Sequence, residues 1–456
     1  MTKYSRSRIS RGTIRRKIII VVTVIVAAAM IAVVLLLSVL ANADRYRPQI
    51  ISYLQKKTGL PVEIGRITLS LSPSLSIRLD DFGLKNPPIF PVGYFLKAPQ
   101  IYAAIDAGAL LHQRIVIKSL TLEHPVINLI SDPDGFWNFE NPKQSRAVPV
   151  VFPVGVISRL EINGGQLSVS DLIDPSDAPG PIFFAAHNVS TILHHVDFAA
   201  FLDPSSSSVA AQGNVKADSL RFGAIRATSI QSKLELLRGQ VSLAGVRLNV
   251  YGGRAVGNLF FNLAGKNITF TANAQMNGVD VAHLLAAFPN GQGKMTGKMD
   301  GDVKLAAEIP HTNNPLAGIH AAGRLTVRNG ELPSLMLNAH LMKLAHFNNL
   351  GPARQDPSSF SSIVADLELA DLRISSRQIK IVGYGVDVQS SGSVHVTSIG
   401  NLDYQGVARI VTKQGFLTNL FGRMSGASLK NGTLSFPFQV SGTMDNPTFS
   451  VRKNTH

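Results

Sequence analysis

Between Ile67 and Asp80 the chain alternates strictly: Ile67, Leu69, Leu71, Leu75, Ile77 and Leu79 share one parity, and Thr68, Ser70, Ser72, Ser74, Ser76, Arg78 and Asp80 the other. A period of two describes a strand with one face against apolar surroundings and one face in water. Pro73 falls at an apolar position, so the strand must break, bulge or run along an edge there. The alternation returns at Leu120/Leu122, Leu234/Leu236, Val241/Leu243, Leu248/Val250, Leu259/Phe261/Leu263, Leu325/Val327, Leu367/Leu369, Ile379/Ile381, Val386/Val388, Val394/Val396 and Leu434/Phe436/Phe438/Val440. The chain is therefore mainly β.

Turn chemistry punctuates these strands. Asn-Gly pairs begin at Asn163, Asn277, Asn290, Asn329 and Asn431, and this dipeptide favours the positive φ angles of tight hairpins. Three of them sit in a recurring phrase, Leu160 to Leu167, Leu325 to Leu332 and Ala427 to Leu434, at irregular spacing, which predicts an antiparallel meander without a fixed period. Loops are expected over Asn141 to Pro153, Asp174 to Pro181 and Gly351 to Ser362. Apolar residues at three- and four-residue spacing predict short helices near Asp280 to Phe288, Leu335 to Phe347 and Lys413 to Met424, covering ends or edges of the sheet. An earlier helix is predicted over Asp44 to Lys57, ended by Thr58-Gly59-Leu60-Pro61.

Charge changes the picture at the N-terminus. Seven basic residues and no acidic one occur in residues 1–17, and residues 18–40 carry no charge. A helix of that length extends about 35 Å, enough to cross a hydrocarbon core of roughly 30 Å. The basic tail then stays cytoplasmic and the remaining chain is exported. A cleavable leader competes, because Ala41-Asn42-Ala43 has the small-x-small form of a processing site; the length of the apolar run favours a retained anchor. Of the net charge of +15, seven lie in the tail, and the body, at a mild +8, has no basic block suited to nucleic acid. Cysteine is absent, which excludes disulfides, thiolate catalysis and Cys-ligated metals.

With this frame, the stretch Lys57-Thr-Gly-Leu-Pro-Val-Glu-Ile-Gly-Arg-Ile-Thr-Leu-Ser-Leu-Ser-Pro-Ser-Leu-Ser-Ile-Arg-Leu-Asp80 resembles the opening of the AsmA family of Gram-negative envelope proteins. The resemblance continues through Gly83 to Pro88, Ile117 to Pro125, Asp134-Gly-Phe-Trp-Asn-Phe139, Asn329-Gly330 and the closing phrase Phe436 to Pro447. It implies an inner-membrane protein with a periplasmic, groove-forming β-sheet, akin to bridge-like lipid-transfer proteins and the TamB-like proteins, and associated with outer-membrane biogenesis. The expected layout is a cytoplasmic tail (1–17), an anchor (18–40), an AsmA-like β region (41–140), central groove repeats with short helices (141–350) and a C-terminal β region (351–456).

Catalytic chemistry is thin. Nucleophile-elbow, phosphate-loop and zinc-protease motifs are missing, and Gly291-x-Gly293 with Gly297 lacks dinucleotide spacing. His194-His195 would point to opposite faces of a strand and suits a surface better than a metal. Asp80-Asp81 and Asp132 with Asp134 read as turn residues before they read as hydrolase carboxylates, and the sole tryptophan, Trp137, as a packing anchor before a sugar platform. No catalytic residue, metal or cofactor is expected.

The expected architecture is a long curled antiparallel sheet with few covering helices, because so many two-faced strands need cover that the helices are too short to supply. Its apolar side would hold phospholipid acyl chains. Candidate lining residues are Leu69, Leu71, Leu75, Ile77 and Leu79 near the start and Leu434, Phe436, Phe438 and Val440 near the end; ordinary sheet core is the competing reading of each. The expected partners are membrane and phospholipid, with outer-membrane biogenesis proteins if the sheet serves instead as an assembly scaffold.

Overall fold

The computed structural model describes residues 43–451, apart from residues 71–74, 107, 110–115, 133–136, 140–155, 172–181, 198–199, 201–205, 207, 263–267, 289–290, 310–317, 334, 338–339, 342–357, 384, 396–400, 412–426 and 444–445. The expected anchor at 18–40, Leu71, the loops 141–153 and 174–181 and the expected helix at 413–424 lie outside the described residues. Among those described, no helix is long and apolar enough to cross a membrane.

The chain enters through a 3₁₀ turn, Ala43–Tyr46, and helix α1, Arg47–Thr58. Pro48 sits in its first turn, where no backbone N–H is needed, and Gly59 closes it at φ 70° with its N–H donating to Gln55 O. Asp44 fixes the entry, since its Oδ1 accepts from Ile67 N at 3.0 Å.

The strands that follow are β1 (Val62–Glu63), β2 (Arg66–Ser70), β3 (Ser76–Lys85), β4 (Tyr94–Ile105), β5 (Ile117–Glu123), β6 (Val126–Ser131), β7 (Ile157–Asp171) and β8 (Ile182–Val196). Then come β9 (Ala211–Phe222), β10 (Ile225–Leu237), β11 (Gln240–Val250), β12 (Gly253–Asn262) and β13 (Ile268–Asp280). After the short helix α2 (Val281–Ala286) run β14 (Lys298–Ile309), β15 (Ile319–Glu331), β16 (Ser359–Ala370), β17 (Arg373–Gly383), β18 (Val386–His395) and β19 (Asn401–Val411). The last three are β20 (Ser428–Lys430), β21 (Thr433–Thr443) and β22 (Pro447–Val451). All 22 belong to one sheet.

The expected break at Pro73 separates the two arms of a hairpin: β2 and β3 pair antiparallel with Ile67 opposite Leu79 and Leu69 opposite Ile77. From β7 to β19 each strand pairs with the next in sequence, as a meander does, and β21 closes on β19 with β20 and β22 along its far edge. The expectation of a purely antiparallel sheet needs correction. β7 runs parallel to both β5 and β6, which lie end to end against it, with Leu120 opposite Leu160 and Ile127 opposite Leu167. β7 therefore starts on the same side of the sheet as β5 and β6, and parallel neighbours of this kind need a crossover between them.

Asn-Gly pairs also do other work than expected. Only Asn431-Gly432, among the described pairs, makes a two-residue hairpin, with φ of 51° and 74° between Lys430 and Thr433. Gly164, Gly278 and Asn329 spend their positive φ on bulges inside β7, β13 and β15. Tight turns fall instead at Arg238-Gly239, Tyr251-Gly252 and Asp371-Leu372, each with two positive φ angles. Ser359 to Ser362, expected as loop, begin β16, and Asp80-Asp81, expected as turn, lie inside β3.

The bulges of the first half line up. Asp81, His124, Gly164, Asn188 and Ser229 all have φ between 47° and 65° and succeed one another from β3 to β10, with Pro99 in the intervening strand. On crossing this line each strand changes the parity of its apolar set. Ile77 and Leu79 give way to Phe82 and Leu84; Leu160 and Ile162 give way to Leu167 and Val169. An extra residue turns the following side chains to the other face, so the change keeps one face apolar across a crease in the sheet.

Candidate functional site

Following the pairing register sideways reveals the main feature of the molecule. Starting at Leu69, one row passes through Ile77, Ala103, Leu120, Leu160 and Leu193 to Gly213. It goes on through Leu234, Leu243, Leu259, Ala272, Leu305 and Ala321, then Leu369, Ile374, Val394 and Leu402. At roughly 4.8 Å per strand this unbroken apolar row is on the order of 75 Å long, measured along the sheet.

The row beside it is built of smaller residues. From β12 to β18 it reads Gly257, Ala274, Val303, Gly323, Leu367, Ser376 and Gly392, ending at Tyr404 opposite Val440. A third row reads Leu248, Ala255, Met276, Gly301, Leu325, Ala365 and Ile379. None of these positions is charged. The hydroxyls that do occur turn away: Thr191 Oγ1 donates to Asn214 O at 2.8 Å, Ser232 Oγ to Lys233 O at 2.9 Å and Ser376 Oγ to Asp366 O at 2.7 Å. Burial pushes the Tyr404 hydroxyl above its ordinary value, so it stays neutral.

Glycine here serves close approach. A Cβ on Gly257 would fall 1.9 Å from Asn273 O and one on Gly323 2.3 Å from Asp302 O, so the neighbouring backbone occupies the space a side chain would take. The result is a shallow floor of small residues beside a taller row of leucines. A cavity of about 510 Å³ crosses β11 to β16 at the level of this row, and residues of both parities line it: Leu259, Leu305 and Leu369 together with Asn273, Lys304 and Glu368.

The two ends of the apolar face are covered, and along the middle strands buried clusters lie to either side of the leucine row, one of them around Phe270, Ala307 and Ile319. Ile50, Ile51 and Leu54 of α1 lie on a core of Val62, Ile64, Ile67, Phe82, Ala98, Ile101, Leu122 and Leu160. At the other end Leu337 and Leu341 are buried with Val386, Val388, Ile410 and β21. Helix α2 and Leu332 close a third cluster around Met299, Val327, Phe360 and Ile363. Between the ends, every member of the leucine row from Gly213 to Val394 is only half-buried.

The residues singled out from sequence distribute accordingly. Leu69, Ile77 and Leu79 are half-buried and packed against the core beneath α1; Leu75 is half-buried beside them. Leu434, Phe436, Phe438 and Val440 are buried, Phe436 completely, beneath Leu337 and Leu341. Sequence reading missed the central floor, whose Gly, Ala and Ser residues carry no hydropathy signal; its trace is the recurrence of small residues at strand-alternate positions, as in Ala272/Ala274 and Ala321/Gly323. His194 and His195 are both exposed on β8. Trp137 stacks on Phe139 at 6.0 Å, which in turn meets Phe95 at 5.7 Å.

Residues 1–171 match the family described as YhdP protein, a family related to the AsmA- and TamB-like proteins. No curated protein sequence matches the chain at a significant level.

Proposed function

We propose that this chain is an AsmA-like, inner-membrane-anchored periplasmic protein whose sheet curls into a trough and holds phospholipid acyl chains along its apolar face. The observation that carries this reading is the row from Leu69 to Leu402 with its floor of small residues, free of charge and half-exposed through the middle. Burying hydrocarbon there gains about 25 cal/mol per Å² of apolar surface removed from water. A row running across strands offers the same environment at every step, so a chain can slide along it without breaking a specific bond. The match of residues 1–171 supports an envelope role. Covered ends at α1 and at Leu337 and Leu341 make the central strands, β11 to β18, the lining that matters most.

Adjacent residues give the test. Val303 lies on the apolar face and Lys304 on the opposite one. Val303→Asp is expected to strip phospholipid that copurifies with the protein from mild detergent, and Lys304→Glu to leave it unchanged, both proteins keeping their β-sheet circular dichroism. Equal lipid in both variants overturns the reading, and lipid-free protein with a stoichiometric protein partner would favour an assembly scaffold.

A further inference from the structure

At one end of the sheet, between β3 and β4, the chain makes the loop Asn86-Pro-Pro-Ile-Phe-Pro-Val-Gly93. It carries no charge, and two of its side chains face solvent: Val92 is fully exposed at 108% and Ile89 is 45% exposed. Exposed apolar side chains on a mobile loop would mean little; this loop is held. Asn86 N donates to Gly93 O at 3.0 Å, Phe90 N to Pro87 O at 2.9 Å and Asn86 Nδ2 to Pro91 O at 2.9 Å. Phe90 is buried against Ile130. Behind it Asn138, fully buried, donates from Nδ2 to Asn86 Oδ1 and to Asn128 O, both at 2.8 Å, and accepts from Ile130 N at 3.0 Å. Three prolines and a satisfied amide network thus present Ile89 and Val92 outward at little entropic cost.

What surrounds the tip is graded. Trp137, Phe139 and Phe95 stack beside the network that holds it. Next to them Tyr94 carries Lys97 over its ring at 5.2 Å and Lys85 at 6.0 Å. Glu63 pairs with Lys85 and accepts from the Tyr94 hydroxyl, so Lys97 leaves the group with a net positive charge. Aliphatic tip, then Trp and Tyr, then lysine is the order in which side chains settle into a lipid surface from acyl chain to phosphate.

The position fits as well. Lys85 N donates to Pro61 O at 2.9 Å, which ties the foot of the loop to the residues just after α1. Helix α1 is 12 residues, about 18 Å, and it begins seven residues after the uncharged run ends at Leu40. The loop is therefore within roughly 40 Å of the point where an anchored chain would leave the bilayer.

We propose that the loop 86–93, backed by Trp137 and flanked by Lys85 and Lys97, seats on the anionic bilayer surface as a second, non-spanning contact beside the anchor. It rests on reading residues 18–40 as membrane-spanning. Two contacts orient the body of the protein where one tether leaves it free to swing.

The natural chain has no cysteine, so a full-length Val92→Cys protein can carry a single environment-sensitive fluorophore, with Asn431→Cys at the distant β20–β21 hairpin as control. Both are reconstituted into phosphatidylethanolamine and phosphatidylglycerol vesicles with brominated acyl chains. Emission at position 92 is expected to shift blue and fall roughly twofold or more, and emission at 431 to stay unchanged. In unlabelled protein Ile89→Asp with Val92→Asp should relieve bromine quenching of Trp137 while copurifying lipid persists. Protein that floats with the vesicles but gives the same response at both labelled sites overturns the proposal. Protein that does not float at all overturns the anchor reading and this one with it.

Discussion

Gly164 lies with its backbone against the imidazole of His124: a methyl group on its Cα would come 2.8 Å from Cδ2 and 3.0 Å from Nε2. The two residues sit on parallel neighbours, and His124 N donates to Asn163 O at 2.7 Å, so they form one step of the crease from Asp81 to Ser229. Both have positive φ, 47° at His124 and 65° at Gly164.

Gly164→Ala is therefore expected to lower stability by about 1–3 kcal/mol, from the φ penalty and the clash together. Adding His124→Gly removes the obstructing ring and relieves the φ strain at position 124, and should restore part of the loss. Urea midpoints of both single variants, the double variant and the parent check this. A doubly substituted protein less stable than the sum of its parts would show that the imidazole supports the crease instead of crowding it.

The β16–β17 hairpin is strained in the opposite sense. Asp371 and Leu372 make its two-residue loop with φ of 50° and 60°, and leucine pays for that conformation where glycine does not. Leu372→Gly should stabilise the protein by about 0.5–1 kcal/mol, read as a higher denaturation midpoint. Lower stability would mean that the leucine side chain contributes more by contact than its backbone loses.

Helix α2 begins at Asp280, whose Oδ1 accepts from His283 N at 3.0 Å while Oδ2 meets Lys298 Nζ at 3.1 Å. Partial burial pushes this carboxyl up, but the hydrogen bonds from His283 and Lys298 outweigh it and hold the pKa at about 2, below the ordinary 3.8. A carboxyl that binds its proton less tightly folded than unfolded stabilises the fold fully above pH ~4 and loses that contribution as the pH falls towards 2. Asp280→Ala should cost about 1 kcal/mol at neutral pH through the lost cap. Asp280→Asn should be less stable than the parent at pH 6 and match it near pH 2. A difference independent of pH would place the stabilisation in the cap geometry alone.

Much of the secondary structure is legible in the chain. Alternation locates the arms of the β2–β3 hairpin and the strands at Leu234/Leu236, Leu259/Phe261 and Leu434 to Val440, and Gly59 marks where α1 ends. Asn163-Gly164 shows the limit. The dipeptide declares a positive φ, which a hairpin and a bulge accept equally, and only the strand lying alongside decides between them. The same limit hid the crease: a one-residue change of parity looks, within a single strand, like the end of the pattern at Asp80.

The site was half legible for a related reason. Hydropathy picks out large residues, and the largest, Phe436 and Phe438, are the ones buried most deeply under Leu337 and Leu341. The half-exposed middle is made by Gly257, Ala274 and Gly323, which no transfer scale would select.

By itself the amino-acid order determined where most two-faced strands run, that φ turns positive at the described Asn-Gly pairs, and that one side of nearly every strand is apolar, because these follow from steric and solvation preferences that act over a few residues. The tertiary structure alone decided that β7 returns parallel to β5 and β6, that bulges align into a crease, and that Leu69 and Leu402 belong to one row, because register between strands is set by partners distant in sequence and by the burial of a whole face at once.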